Sequence, residues 1–117
     1  MKREREIVDF VKDIVDSMEK AMEFVEGMSY EEFAQDEKTI FAVIRALEII
    51  GEAVKNIPPD VRKSYPQIPW KSIAGMRDKV IHEYFGVDLE VIWNTIQNRI
   101  PEAKPLFEKM LMDLQNE

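Results

Sequence analysis

The sequence predicts an all-α protein, an antiparallel bundle of four main helices with short helical pieces between them. Apolar residues recur at spacings of three and four in several long segments, and no segment alternates as a strand does. Prolines and glycines punctuate the chain between those segments. With 117 residues and 45% hydrophobic composition, the chain is expected to form one domain, residues 1–117, around a single core.

The first long helix is predicted from an apolar stripe that runs from Ile7 to Met28, and Gly27 is expected to end it. Ser29 is followed three residues later by a glutamate, which is the pattern of a capping box. This pattern predicts a short helical turn that reaches about Ala34.

A second long helix is predicted from Asp36 to about Asn56, just before two consecutive prolines. Gly51 lies in the middle of this helix, where a glycine costs about 1 kcal/mol relative to alanine. The glycine therefore indicates that another backbone approaches the helix at this point. Residues 57–69 hold four of the six prolines and are predicted to form a loop with a helical turn near Asp60.

The carboxyl-terminal part of the chain is predicted to form three further helices. Proline at position 69 suits the first turn of one of them, and aspartate at position 88 suits a cap. Pro101 is expected to interrupt the last two, because proline lacks an N–H donor and clashes with the preceding turn. The predicted bounds are Pro69 to about Phe85, ended by Gly86, then Asp88 to about Arg99, then residues 102–115.

The absence of cysteine excludes thiolate catalysis, disulfide scaffolds and cysteine-ligated zinc or iron–sulfur sites. It is consistent with a reducing compartment, so a cytoplasmic location is expected. The amino terminus is charged, and no apolar run approaches the roughly 20 residues that a membrane-spanning helix needs. Neither secretion nor membrane insertion is therefore expected.

The net charge of −7 by itself argues against nucleic-acid binding, but the charge is unevenly distributed. Residues 1–37 carry 5 basic and 12 acidic side chains, which accounts for the whole net charge. Residues 38–82 carry 8 basic and 4 acidic side chains. Two interpretations of this basic stretch remain open: it consists of solvated helix faces, or it faces a polyanion.

The only histidine of the chain, His82, lies five residues after Arg77 and two residues before Tyr84. An imidazole exchanges protons near neutral pH and a guanidinium fits a phosphate, so the group indicates phosphodiester chemistry. On an ideal helix, Arg77 and His82 differ by about 140° and about 7.5 Å in axial position, which argues against a compact site within one chain. Asp78 lies four residues before His82 and is a candidate to orient its ring. The alternative is that His82 is a structural or surface residue.

A second polar stripe, formed by Arg45, Glu48 and Glu52, runs along the second long helix. It is either an exposed ladder of ion pairs, or Arg45 and Glu48 support the residues of the histidine motif. Other chemistries are disfavoured. The four glycines are isolated, which excludes a P-loop, and a single histidine does not suit a di-iron carboxylate bundle. The sequence predicts no metal site and no cofactor.

The motif Arg77-x4-His82-x-Tyr84, with a polar Asp78 after the arginine, resembles the signature of the HEPN superfamily, and more narrowly of the HepT toxins paired with MntA-type antitoxins. The likeness covers nearly the whole chain. It extends to the segment 44–53, to Ile57-Pro58, to Ile68-Pro69-Trp70 and to Gly86-Val87-Asp88.

The resemblance implies a metal-independent endoribonuclease, the toxin of a type II-like toxin–antitoxin pair, which acts as a homodimer on tRNA or mRNA. It also implies that Arg77 and His82 form the catalytic pair and that Tyr84 is the position to which a nucleotidyltransferase antitoxin adds AMP. The residue chemistry agrees with a dimer, because RNA cleavage uses both a general acid and a general base, and each chain has only one imidazole. The competing hypothesis is a non-catalytic helical module that docks a nucleotidyltransferase and clamps a nucleotide or RNA phosphate.

Overall fold

The computed structural model describes residues 2–82 and 88–116, with side chains for residues 2–77 and 88–116. All regular structure in these ranges is helical, which confirms the all-α prediction. Within the same ranges, no helix is long and apolar enough to cross a membrane. The helices are α1 (Lys2–Phe24), α2 (Tyr30–Gln35), α3 (Glu37–Lys55), α4 (Pro59–Lys63), α5 (Trp70–His82), α6 (Leu89–Asn94), a π-helical turn (Thr95–Arg99) and α7 (Ile100–Gln115).

Local side-chain caps start three of the helices where the sequence predicts them. Ser29 and Glu32 form a reciprocal capping box at α2, with N···O distances of 3.0 and 3.1 Å. The carboxylate of Asp36 accepts a hydrogen bond from the Thr39 amide at α3, and that of Asp88 accepts one from the Glu90 amide at α6. The predicted end of the third helix near Phe85 lies outside the described residues.

The predicted break at Pro101 is wrong. The helix that starts at α6 continues through the π turn into α7, and the amide of Ile100 donates to the carbonyl of Thr95, five residues back. A π turn is wider than an α turn, so the backbone there is already displaced from the α-helical ladder where Pro101 contributes no N–H. The Thr95 hydroxyl also donates to the Val91 carbonyl at 2.8 Å, a bond that often bends helices.

The main helices run antiparallel around the bundle in the order α5, α3, α1 and α7. At one end, Arg3 of α1 donates two hydrogen bonds of 2.8 and 2.9 Å to Asp60, just after α3. The hydrogen bond from Arg3 lowers the pKa of Asp60 below its usual range. Toward the other end, Lys104 near the start of α7 lies 3.3 Å from Glu19 in the second half of α1. These contacts fix the relative directions of α1, α3 and α7.

The core lies between these four helices. Trp70 of α5 meets Phe107 of α7 edge to face, with the ring centroids 5.5 Å apart. Phe41 of α3 lies outside the core and is 56% exposed. The largest fully buried side chains are Phe33, Phe107, Ile14, Met18, Leu47, Ile50, Ile57, Ile73, Ile96, Ile100, Met110 and Val11.

The loop between α3 and α5 is braced by Arg62, which satisfies carbonyl oxygens at the end of α3. Its guanidinium donates to the carbonyls of Val54 and Ile57, both at 2.9 Å. The indole N–H of Trp70 donates back to the Tyr65 carbonyl at 3.0 Å. The carboxyl end of α3 and the amino end of α5 are therefore held together, and the two helices run antiparallel.

We expect Arg62→Met to lower the free energy of unfolding by roughly 1–3 kcal/mol, because two carbonyl oxygens lose a charged donor. Urea denaturation followed by circular dichroism measures this. The control is Lys63→Met, an exposed cation next in sequence, which should stay within about 0.5 kcal/mol of the parent protein. Equal losses in both variants would show that the brace does not stabilise the loop.

Candidate functional site

The helices α3 and α5 approach each other closely at Gly51 and Arg77. A Cβ atom placed on Gly51 would lie 2.6 Å from the Cβ of Arg77, 3.1 Å from its backbone nitrogen and 3.3 Å from its Cα. Cβ atoms in proteins essentially never lie within 3.0 Å of a non-bonded atom. The prediction that a second backbone approaches Gly51 is therefore confirmed, and that backbone belongs to the motif arginine.

This contact fixes the point from which the Arg77 side chain starts. Arg77 is half-buried, and its Cβ is directed at α3. Among the described side chains, none hydrogen-bonds to the Arg77 guanidinium. A cation anchored at its backbone, with its donors free of described partners, is suited to holding an anionic ligand.

The other motif residues are placed by the backbone alone. Asp78 and His82 lie on α5, and His82 is the last residue of that helix, but their side chains lie outside the described part. Tyr84 also lies outside the described residues. The structure thus carries Arg77, Asp78 and His82 on one helix that packs on α3.

The polar stripe of α3 runs toward the His82 end of α5. Because α3 and α5 are antiparallel, moving backward from Gly51 along α3 corresponds to moving forward from Arg77 along α5. Glu48 and Arg45 precede Gly51 by one and two turns. Their side chains form an ion pair of 3.7 Å, in which Arg45 is 65% exposed and Glu48 is 30% exposed. The pair is thus a partly exposed ion pair on the motif side of the bundle.

A row of exposed carboxylates on α1, with Lys12 and Lys20 between them, lies away from this side. The exposed face of α1 carries carboxylates at spacings of three and four, and α1 packs against α3 and α7. Since α3 lies between α1 and α5, the acidic face and the motif helix occupy different sides of the bundle. The exposed acids of this face are Asp9, Asp13, Asp16, Glu19 and Glu23.

A groove lies between α5 on one side and the π turn and α7 on the other. Its volume is about 550 Å³. Met76, the residue before Arg77, lines it, and so do Ser72 and Arg99. The Arg99 guanidinium donates to the Ser72 hydroxyl across the groove at 2.8 Å. Sequence analysis missed this pair because 27 positions separate the two residues, although Pro101 in a periodic segment was a signal of non-α geometry nearby.

Potential metal ligands do not converge in the part of the chain whose side chains are described. No group of three or more histidine, aspartate or glutamate side chains there is placed to hold an ion.

Comparisons with known proteins agree on one family. The model of the family described as "Ribonuclease HepT-like" matches residues 14–110. A candidate RNase of Methanocaldococcus jannaschii is 51% identical over 111 residues, which cover 95% of this chain and 96% of that protein. The "Probable ribonuclease HepT" of Thermococcus cleftensis is 53% identical over 102 residues, 87% of this chain and 93% of its own. A candidate RNase of Caldanaerobacter subterraneus is 47% identical over 102 residues, 87% of this chain and 91% of its own. No solved structure matches.

We expect Gly51→Ala to lower the free energy of unfolding by roughly 1–3 kcal/mol, because the new methyl group meets backbone and Cβ atoms that cannot turn away. The matched control is Gly75→Ala on α5, where an added Cβ meets no atom within 4 Å. That variant should gain about 0.5–1 kcal/mol from helix propensity. Chemical denaturation measures both. A gain in both variants would contradict the close approach of α3 to α5.

Proposed function

Because this chain belongs to the HepT-like ribonuclease family, we propose that it is a metal-independent endoribonuclease in which Arg77 and His82 act on the scissile phosphodiester. The observation that supports the roles of these residues most directly is the Gly51 contact. It anchors the backbone of an arginine on the helix that carries the only histidine of the chain. Both residue types suit a reaction that moves protons around a phosphate.

The proposed reaction uses the 2′-hydroxyl of the RNA as its nucleophile. An imidazole of His82 removes the hydroxyl proton, and the 2′-oxygen attacks the adjacent phosphorus. The guanidinium of Arg77 stabilises the negative charge that develops on the phosphoryl oxygens. The bond from phosphorus to the 5′-oxygen breaks, that oxygen takes a proton from an imidazolium, and the products are a 2′,3′-cyclic phosphate and a 5′-hydroxyl.

A homodimer supplies what a single chain lacks in this scheme. The reaction uses a base and an acid, and each chain has one imidazole. His82 lies five positions after Arg77 on the helix, which amounts to about 140° of rotation and about 7.5 Å of rise. A twofold dimer that brings two α5 helices together would place two imidazoles and two guanidinium groups at one cleft.

Neighbouring polar residues have supporting roles in this proposal. Asp78 lies one helical turn before His82 and would hold one ring nitrogen, which favours the protonated imidazole. The ion pair of Arg45 and Glu48 lies toward the His82 end of α5 and would contribute to orienting the motif.

Regulation is proposed to occur at Tyr84, two residues after His82. A nucleotidyltransferase antitoxin would transfer AMP from ATP to the phenolic oxygen and release pyrophosphate. The added nucleotide would place bulk and negative charge beside the motif and repel an RNA phosphate. The proposed substrates, tRNA or mRNA, and this partner are cytoplasmic, in agreement with the absence of cysteine.

Arg77→Ala and His82→Ala are each expected to lower the rate of RNA cleavage by about 10²–10⁴-fold, because each removes a group that acts in the transition state. Arg77→Lys should recover only part of the loss, since an ammonium lacks the two-donor fork. Single-turnover cleavage of labelled RNA in the presence of a chelator measures all three. The products should end in a 2′,3′-cyclic phosphate.

Lys109→Ala, an exposed cation on α7, serves as the control and should cleave at the parent rate. Abolition of cleavage by the chelator would refute the metal-independent scheme. RNA binding without cleavage by the parent protein would identify a binding module instead of an enzyme.

Incubation with a nucleotidyltransferase antitoxin and ATP is expected to add AMP to the parent protein, in parallel with loss of RNA cleavage. Intact-mass spectrometry measures the addition. Tyr84→Phe should acquire no AMP, whereas Tyr30→Phe, which changes a tyrosine on α2, should acquire as much as the parent. Modification that persists in Tyr84→Phe would assign the acceptor elsewhere.

A further inference from the structure

The groove between α5 and α7 has the size and the lining of a ligand site. Its volume of about 550 Å³ falls within the range of small-molecule pockets. Its floor is apolar, formed by the buried side chains of Ile73, Met76 and Ala103 with the half-buried Leu106. Such a floor accepts the flat face of an aromatic ring by excluding water from it.

The rim of the groove supplies a cation at one side. Arg99 is exposed, and its hydrogen bond to Ser72 engages one of the five N–H donors of a guanidinium. Because the partner is a neutral hydroxyl, the bond holds the side chain across the groove without neutralising its charge. A guanidinium held in this way is prepared to bind a phosphate.

The rest of the rim offers donors and acceptors for the edge of a base. Gln67 and Asn98 line the groove, and the Asn98 amide nitrogen donates to Asn94, which leaves its carbonyl oxygen as an acceptor. The Glu102 carboxylate also lines the groove and repels phosphate, so it would face the N–H donors of the base. These groups distinguish the two ends of a bound nucleotide.

The groove is continuous with the proposed catalytic helix. Met76 of the floor directly precedes Arg77, and Ser72 of the rim lies five residues before it, about 7.5 Å along α5 and about 140° around it. The groove therefore opens on the α7 side of the motif helix, whereas the Cβ of Arg77 is directed at α3. Arg99 belongs to the π turn, a departure from α geometry that often occurs at functional sites. A strand of RNA that crosses α5 from the α3 side to the α7 side would contact both Arg77 and the groove.

We propose that this groove binds one unpaired nucleotide of the RNA substrate, beside the helix that carries Arg77. Its base lies on the apolar floor, its phosphate binds Arg99, and Glu102 and Asn98 contact the edge of the base. This inference rests on the proposed ribonuclease function, and it narrows the substrate class to RNA with an unpaired nucleotide at the cleavage site. A paired base is disfavoured, because it must first leave its pair and its stack at a free-energy cost.

The test uses His82→Ala protein, so that RNA stays intact, and measures Kd by fluorescence anisotropy. The two probes are an RNA hairpin with one unpaired nucleotide in its stem and the same hairpin fully paired. The unpaired probe should bind about tenfold more tightly, because its nucleotide enters the groove without the cost of unpairing and unstacking. Adding Arg99→Gln should weaken binding of the unpaired probe about tenfold. It should also lower the slope of log K against log salt by about 0.7, which is the contribution of one phosphate contact on a single strand.

Two further variants distinguish a nonspecific effect of positive charge from the effect of filling the groove. Lys109→Gln removes an exposed cation elsewhere on α7 and should leave both Kd values unchanged. Ser72→Trp fills the groove from an exposed position and should abolish the preference for the unpaired probe. Circular dichroism checks that each variant is folded.

The outcomes distinguish this inference from the ribonuclease function. Suppose that the parent protein cleaves RNA, but that adding Arg99→Gln or Ser72→Trp to the His82→Ala protein leaves the Kd values for both probes unchanged. The groove proposal is then overturned and the ribonuclease function stands. If His82→Ala cleaves as the parent does, the catalytic scheme fails. Probes with a 2′-deoxy nucleotide at the cleavage position lack the attacking hydroxyl and stay intact, so their Kd values still show whether the groove binds the unpaired nucleotide. If Ser72→Trp blocks only a protein partner, the groove is a protein-docking surface and the proposal is overturned.

Discussion

The close approach of the α3 and α5 backbones at Gly51 and Arg77 is the constraint on which the rest of the structure depends. Only a residue without a Cβ allows this distance, since a methyl group would lie 2.6 Å from the Arg77 Cβ. The Arg62 brace fixes the same two helices at their linked ends. Two points of attachment determine the course of α5, and with it the backbone of Arg77 and of His82.

Between α5 and α7 the described side chains form both a packing contact and a groove in which a ligand can bind. α5 meets α7 through Trp70 and Phe107, and beside that contact the groove with Arg99 remains. The acidic face of α1 lies away from α5, so a polyanion meets less repulsion on the motif side. Shape and charge thus favour the same side of the protein.

Features that depend on neighbours in sequence were predictable, and features that depend on distant partners were not. The caps at Ser29, Asp36 and Asp88 are bonds to amides two or three residues away, so the sequence contains both partners. The mid-helix position of Gly51 indicated a close approach because glycine is costly there, but it did not identify the partner. At Pro101 the sequence predicts a break, because proline lacks the N–H that an α-helix needs. It does not show that a π turn lets the helix continue past this residue. Arg99 gave no signal, because its partner Ser72 is set by tertiary packing.

A double-mutant cycle between Gly51→Ala and Arg77→Gly tests the central constraint most directly, with the free energy of unfolding as the readout. If the new methyl group collides with the Arg77 Cβ, Gly51→Ala should cost at least about 1 kcal/mol less when that Cβ has been removed. An unchanged cost in the Arg77→Gly background would mean that the two residues do not meet, and that the position of the arginine is set by something other than α3.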